Sequence, residues 1–252
     1  MARRRGERRT VDRFLSRCGI ASRTRAAGLI REGRVAVNGR TATDPDQWID
    51  PARDRVTVDG APVAAPARHQ LVLFNKPRGV LVTERDPQGR PTVRDALPEP
   101  FRSDPALRPA GRLDQDSGGL LLFTSDNDLA EAILDKRSRL AKRYRVKFVP
   151  APDPPALETM RRGVEIGDRT PTLPARIRVE RTGPRSAVLE IEIVEGRNRQ
   201  IRRMAAAVGC QVQWLVRVAI GPVRLEALEV GEAREATEAE AEALRAEARV
   251  RQ

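Results

Sequence analysis

Apolar residues Val11, Phe14, Leu15 and Cys18 fall at i, i+3, i+4 and i+7, the spacing that lines one face of a helix. Gly19 suits its C-terminal stop. Ser22 is placed to cap a second helix that carries Ala26, Leu29 and Ile30 and ends at Gly33. The spacing then changes to alternation in Val35-Ala36-Val37, and Asn38-Gly39 supplies a hairpin turn, with Val56 and Val58 continuing a small sheet. Gly60 to Arg68 is small, Pro-bearing and aperiodic, which predicts an interdomain linker.

Beyond it the pattern is that of a mixed α/β domain. Leu71-Val72-Leu73-Phe74 predicts a strand, Asn75-Lys76-Pro77-Arg78-Gly79 a turn, and Val80 to Thr83 the return strand. Asp126 is placed to cap a helix through Leu129, Ile133 and Leu134. Tyr144, Val146 and Phe148 alternate on one face of a strand, and Val188 to Val194 predicts another. Thr237 and Glu240 have capping-box spacing ahead of an Ala/Glu/Arg helix, whose thin apolar stripe predicts a peripheral, frayed tail.

Composition narrows the partner. At 252 residues the chain has room for one large domain with a small companion. Its formal net charge of +12, carried mostly by arginine, points to an anionic partner, nucleic acid ahead of a membrane surface. No apolar run approaches the ~18 residues of a spanning helix and no signal peptide follows the basic start, so a soluble, cytoplasmic protein is expected. Cys18 and Cys210 are too few and too far apart for a disulfide framework or a zinc site, and His69 is the sole histidine. With no P-loop, dinucleotide fingerprint or nucleophile elbow, an enzyme built on this chain works with Asp, Glu, Tyr, Lys and Arg.

One segment concentrates that chemistry. Gly111-Arg112-Leu113-Asp114-Gln115-Asp116-Ser117-Gly118-Gly119 reads as a tight loop that presents Asp114 or Asp116 and then enters a buried strand, Leu120 to Thr124. The run closely resembles the GRLDxxTxGLLLLT signature of the RsuA/RluB-type pseudouridine synthases, with Ser117 where that family usually has Thr. The resemblance makes Asp114 the catalytic residue, with Arg112 filling the space left by the target base or holding the adjacent phosphate. Asn75 to Val80 matches the family's first motif, where Lys76 either brings charge to the active cleft or lies on a surface turn. Lys142-Arg143-Tyr144 matches a K-x-Y motif whose tyrosine packs against uracil, and Tyr144 is the chain's only tyrosine. Glu195 to Met204 resembles the EGxNRQxRRM motif, which implies that Arg202 pairs with Asp114 and that Arg197, Arg199 and Arg203 meet the RNA backbone or neighbouring carboxylates. Near the N-terminus, two helices followed by Gly33 to Gly39 resemble the αL RNA-binding domain, with Arg13, Arg17, Arg23, Arg25, Arg31 and Arg34 as the RNA-facing cations.

The resemblance implies an α+β protein with a basic disordered arm at 1–9, an αL domain at 10–59, a linker at 60–68, a mainly antiparallel-sheet pseudouridine synthase domain at 69–232, and a charged helix or tail at 233–252. It further implies a cofactor-free, metal-free isomerase acting on one uridine of ribosomal RNA, monomeric, and working on a ribosomal subunit or assembly intermediate. A fold-retaining RNA-binding assembly factor without catalysis is the alternative, against which the Asp114, Tyr144 and Arg202 set stands. The sequence leaves open which subunit and uridine are modified, and whether the aspartate is nucleophile or base.

Overall fold

The computed structural model describes residues 8–63 and 69–249, so most of the expected basic arm, half of the expected linker and the last three residues lie outside it. The chain divides into two compact units, the first being residues 1–70 with 105–108 and 125–127.

The first unit runs β1 (Arg9–Thr10), α1 (Val11–Arg17), α2 (Arg23–Arg31), β2 (Val35–Val37), β3 (Arg40–Thr41), β4 (Trp48–Ile49), β5 (Val56–Val58) and β6 (Ala61–Val63). Its core is the apolar face read from the spacing: Val11, Phe14 and Leu15 of α1 and Ala26, Leu29 and Ile30 of α2 pack with Val35, Val37 and Val56. Past the end of α1, Gly19 takes a positive φ while Ile20 N–H donates to Leu15 O and Gly19 N–H to Ser16 O, the paired bonds of a Schellman stop. The Ser22 hydroxyl caps α2 by accepting from Arg25 N–H at 3.3 Å. The small sheet has the antiparallel order β3-β2-β5-β6. Ala61–Val63, expected in the linker, is therefore its edge strand; Pro62 is tolerated there because an edge position needs no second ladder.

From residue 71 onward the chain runs β7 (Leu71–Lys76), α3 (Val93–Ala96), β8 (Arg108–Pro109), β9 (Gly118–Thr124), α4 (Asn127–Leu134), β10 (Lys142–Val149), α5 (Pro154–Arg162), β11 (Arg176–Thr182), β12 (Ala187–Ile193), α6 (Gln200–Ala207), β13 (Gln211–Ile220), β14 (Val223–Arg224), β15 (Ala233–Glu235) and α7 (Glu238–Arg249), most of it in the second unit. Its main sheet has the order β11-β12-β10-β13-β9-β7-β15. Every pairing along it is antiparallel except β9 with β13, where Gly118 and Gly119 lie beside Val216 and Arg217. A Cβ on Gly119, at φ 100°, would collide with the Arg217 backbone, so only glycine permits this approach. β7 and β9 are buried along their whole length, which explains why their sequences are continuous apolar runs rather than alternating ones.

Two expectations for this unit change. Val80 to Thr83 forms no return strand; Leu81 makes a single bridge to Thr92, because the chain is drawn away to pin the loop at Gln115. The C-terminal segment is no loose tail: β15 extends the sheet beside β7, and Leu244 and Ala248 of α7 are fully buried. A thin stripe suffices for a helix that covers only one end of a sheet. Its start is the expected capping box, Thr237 N–H donating to Glu240 at 2.8 Å and Glu240 N–H to the Thr237 hydroxyl at 3.2 Å. The Arg234 guanidinium, 2.7 Å away, holds Glu240 at about 2.

Candidate active site

The loop from Gly111 to Ser117 enters β9 through a turn closed by Ser117 N–H donating to the Asp114 carbonyl oxygen at 3.0 Å. Four cations grip this loop by its carbonyl oxygens. Lys76 Nζ donates to Ser117 O at 2.8 Å, to Asp114 O at 3.4 Å and to Pro77 O at 2.9 Å. Arg78 Nε donates to Asp116 O at 3.1 Å, and Arg202 Nη2 donates to the same oxygen at 3.2 Å. Arg217 reaches Leu120 O through Nε at 2.7 Å and Arg112 O through Nη1 at 3.4 Å. Because these donors are taken by backbone, the loop is fixed in a positive field while the Asp114 carboxylate stays available to the cleft.

The carboxylates divide their partners unexpectedly. Arg199 Nη1 lies 3.7 Å from Asp114 Oδ2, and Arg199 and Arg202 lie 3.1 and 3.3 Å from Asp116 Oδ2. The direct ion pair expected between Arg202 and Asp114 is thus replaced by Arg202 with Asp116 and Arg199 with Asp114. The reason is local. Arg202 stands in the first turn of α6 with Nη1 and Nη2 donating to Val212 O and Asp116 O, whereas Arg199 precedes the helix in a left-handed conformation, φ 47°, that carries its side chain toward both carboxylates. A non-glycine residue in that region is uncommon and here sits at the site. Burial alone would push Asp116 up, but the Arg199 hydrogen bonds and the two guanidinium charges hold it below the usual carboxylate range.

These groups line a cleft of about 410 Å³, a size suited to a small ligand or a single nucleotide. Its apolar wall includes Leu134, Ile193 and Leu215, and the buried Tyr144 of β10 supplies the aromatic face. Tyr144 stands directly opposite Arg217 in the β10–β13 register, just past a bulge that re-aims the strand. Lys142 also lines the cleft; burial, reinforced by the charge of Arg217, pulls its ammonium down to about 8. Arg112 is an exposed member of the lining.

Several of the expected cations are held by groups of the protein itself, and for Arg197 and Arg203 those groups include the neighbouring carboxylates expected as the alternative to RNA backbone. Lys76, read as a turn residue, is the last residue of β7 and only 1% exposed, so it cannot meet a phosphate. Desolvation, opposed by Asp116 and Asp114, lowers it to about 8. Arg197 spends its donors on Glu195 at 3.0 Å, Thr170 O at 2.6 Å and Pro171 O at 2.7 Å. Arg203 binds Asp168 at 2.6 Å and the Ile166 carbonyl oxygen. Both brace residues 166–171 against α6 rather than project into solvent. In the first unit Arg23 pairs with Asp12 at 2.9 Å, Arg25 with Glu32 at 3.2 Å and Arg34 with Asp59 at 2.6 Å, and Arg17 is largely covered. Arg13 and Arg31 are exposed without a carboxylate partner among the described residues. The cleft residue that the motifs did not single out is Arg217; a lone charge inside the apolar run Leu215 to Ile220 was its signal.

Among the described residues no cluster of three His, Cys, Asp or Glu side chains is arranged for a metal ion, and no helix is long and apolar enough to cross a membrane. Burial pushes the Cys18 thiol up to about 11 and raises that of Cys210, which leaves neither as a ready nucleophile.

Comparison with known proteins agrees with this geometry. A family model described as RNA pseudouridylate synthase matches residues 70–207, and the S4 domain model matches residues 9–51. An RNA pseudouridine synthase of Aquifex aeolicus is 38% identical, with 91% of each chain covered. The ribosomal large subunit pseudouridine synthase B of Bacillus subtilis is 34% identical over 94% of this chain and 95% of its own. A crystal structure of a pseudouridylate synthase superposes with a TM-score of 0.66 at 30% identity, covering 93% of this chain and 99% of that one. With the catalytic-domain model spanning more than half the chain and the aspartate loop, aromatic strand and arginine segment meeting in one cleft, the chain belongs to the RNA pseudouridine synthase family and carries an S4 domain ahead of the synthase fold.

Proposed function

We propose that the protein converts a specific uridine of ribosomal RNA to pseudouridine, with Asp114 as the reacting carboxylate. The observation that carries this reading is the meeting of Asp114, Tyr144 and Arg199 in one cleft, beneath a loop held by buried cations. A ribosomal target is favoured by the large-subunit synthase of Bacillus subtilis among its relatives, and such a substrate sets its work in the cytoplasm.

The uridine leaves its stack, a step costing a few kcal/mol, and its ring packs on Tyr144. Asp114 then either adds to the anomeric carbon or removes a proton from the sugar. In both routes the C1′–N1 bond breaks with its electron pair on uracil, the base turns, and carbon 5 bonds to C1′ as the Asp114–C1′ bond breaks in the first route or as Asp114 returns the proton to the sugar in the second. Carbon 5 loses a proton and nitrogen 1 gains one, so the reaction balances with no co-reactant. Arg199 and the cations beneath the loop keep the Asp114 carboxylate in a positive field as it works.

Mapping pseudouridines in rRNA from cells with and without the gene tests the substrate; loss of one site on deletion is the expected outcome, and an unchanged map refutes it. Asp114→Asn keeps the shape and removes the charge. It lowers single-turnover conversion of the mapped RNA by about 10⁴-fold or more with RNA affinity kept.

A further inference from the structure

Arg217 stands out among the cations of the cleft. It is 3% exposed, Nε and Nη1 donate to Leu120 O and Arg112 O, and Nη2 has no hydrogen-bond partner. Buried guanidinium groups are ordinarily paired with carboxylates, because an uncompensated N–H forfeits its hydration. Arg217 forms no ion pair among the described residues, yet it lines the cleft directly opposite Tyr144 in the strand register. Lys142, a half-buried cation of the lining, donates to Leu140 O. The lining of the cleft is therefore rich in positive charge, and Arg217 keeps there a buried N–H for which the described residues supply no acceptor.

We propose that Arg217 Nη2 donates a hydrogen bond to a carbonyl oxygen of the uracil ring and stabilises the base as an anion while it is detached from the sugar. The proposal rests on the reading that Tyr144 stacks on the target base. Depth selects the base over a phosphate: the backbone of the RNA meets the exposed Arg112 and Arg199, whereas the flipped ring is the part that reaches the strand floor. The chemistry selects it again. When the C1′–N1 bond breaks, its electron pair spreads over nitrogen 1 and both ring oxygens, so the acceptor strengthens between the bound substrate and the detached state. A fixed donor at that point lowers the barrier rather than merely tightening binding.

The test uses the full-length protein and a stem–loop transcript containing the uridine found by rRNA mapping, with that uridine intact or replaced by 2-thiouridine or 4-thiouridine. Sulfur is the poorer acceptor, so one of the two replacements slows the wild type. Arg217→Met is expected to lower the single-turnover rate on the normal RNA by about 10²–10³-fold, as for loss of one oxyanion donor. RNA affinity should change by less than about threefold, since phosphate contacts dominate it. The thio replacement that slows the wild type should then add nothing in Arg217→Met. Arg217→Lys, which keeps the charge without the fork, should be intermediate and should retain the fold should Arg217→Met lose it. A thio effect of wild-type size in either variant overturns the proposal. So does a loss confined to RNA affinity with a shallower salt dependence, which assigns Arg217 to a phosphate. A wild type that forms no pseudouridine in any rRNA removes the functional reading and this proposal together; turnover that ignores Arg217→Met removes this proposal alone.

Discussion

The arginines of α1 and α2 and those around the Asp114 loop arise from one basic composition, but they are held in opposite ways. In the first unit, guanidinium groups lie on the surface and pair with Asp12, Glu32 and Asp59, which leaves Arg13 and Arg31 open. Around the cleft Lys76, Arg202 and Arg217 are covered and grip carbonyl oxygens, while the exposed Arg199 lies beside Asp114 and Asp116. Surface pairing trims a charge that solvent already screens, and each such pair contributes about 0–1 kcal/mol. Burial against backbone commits the charge to a shape and keeps its field unscreened. Density of arginine in a sequence therefore marks neither a nucleic-acid face nor a catalytic site until the partner of each group is known.

The two ways of holding a charge can be separated first within the cleft. Arg202→Met removes a side chain 14% exposed that supports Asp116 O, Val212 O and a carboxylate. A loss of about 1–3 kcal/mol in urea unfolding is expected, below the cost of breaking a fully buried pair because Asp116 is part-exposed, with a rate about 10²-fold lower. Arg199→Met, at a side chain 45% exposed, should change stability by less than about 1 kcal/mol and slow the reaction about tenfold. Equal stability losses in the two variants would break the distinction.

A pH profile sharpens it. Because Lys142 titrates near 8 rather than at its ordinary value, the single-turnover rate should fall above about pH 8 as the cleft loses that charge. Lys142→Arg, charged throughout, should remove the share of this limb that belongs to Lys142 and leave the share of Lys76, which is also lowered to about 8. The sign for stability is opposite. Between the folded and unfolded pKa values of this lysine the unfolded chain binds more protons, so its titration alone makes the fold more stable as pH rises. A rate that stays flat beyond pH 9 in the wild type would leave Lys142 without a part in the cleft's field.

The smallest effects belong to the S4 domain. Arg13→Ala and Arg31→Ala should each reduce the slope of log K against log salt by about 0.7–0.9, with little change in melting temperature. Arg23→Ala and Arg34→Ala should move the slope less, because those side chains already hold a carboxylate. Filter binding over a salt series separates the four.

What could be read from the residues was whatever local spacing or a contiguous motif encodes. The α1 and α2 faces followed from Val11, Phe14 and Leu15 and from Ala26, Leu29 and Ile30, and the Asp114 loop from its glycines and the apolar run after it. Of the two readings open for Lys76, charge brought to the active cleft is the one that holds, and Pro77 and Gly79 place the turn after it because the strand that carries Lys76 is prolonged by pairing with the distant Gly119. Exchange of partners between Arg199 and Arg202 depends on one left-handed residue, which side-chain order along the motif does not reveal. Arg217 acts from a strand that no motif of the loop includes, and its place opposite Tyr144 exists only once β10 and β13 pair.

The single parallel pairing in the main sheet also bears on how the chain reaches its native state. β11 and β12 pair as sequence neighbours, whereas the bond from Arg217 Nε to Leu120 O joins residues 97 positions apart, at a point where Gly119 tolerates no side chain. Contacts of such separation carry a larger loop-closure entropy and are late to form. The aspartate loop is anchored across that junction, so catalytic competence waits on a contact that no local hairpin such as β11–β12 can supply.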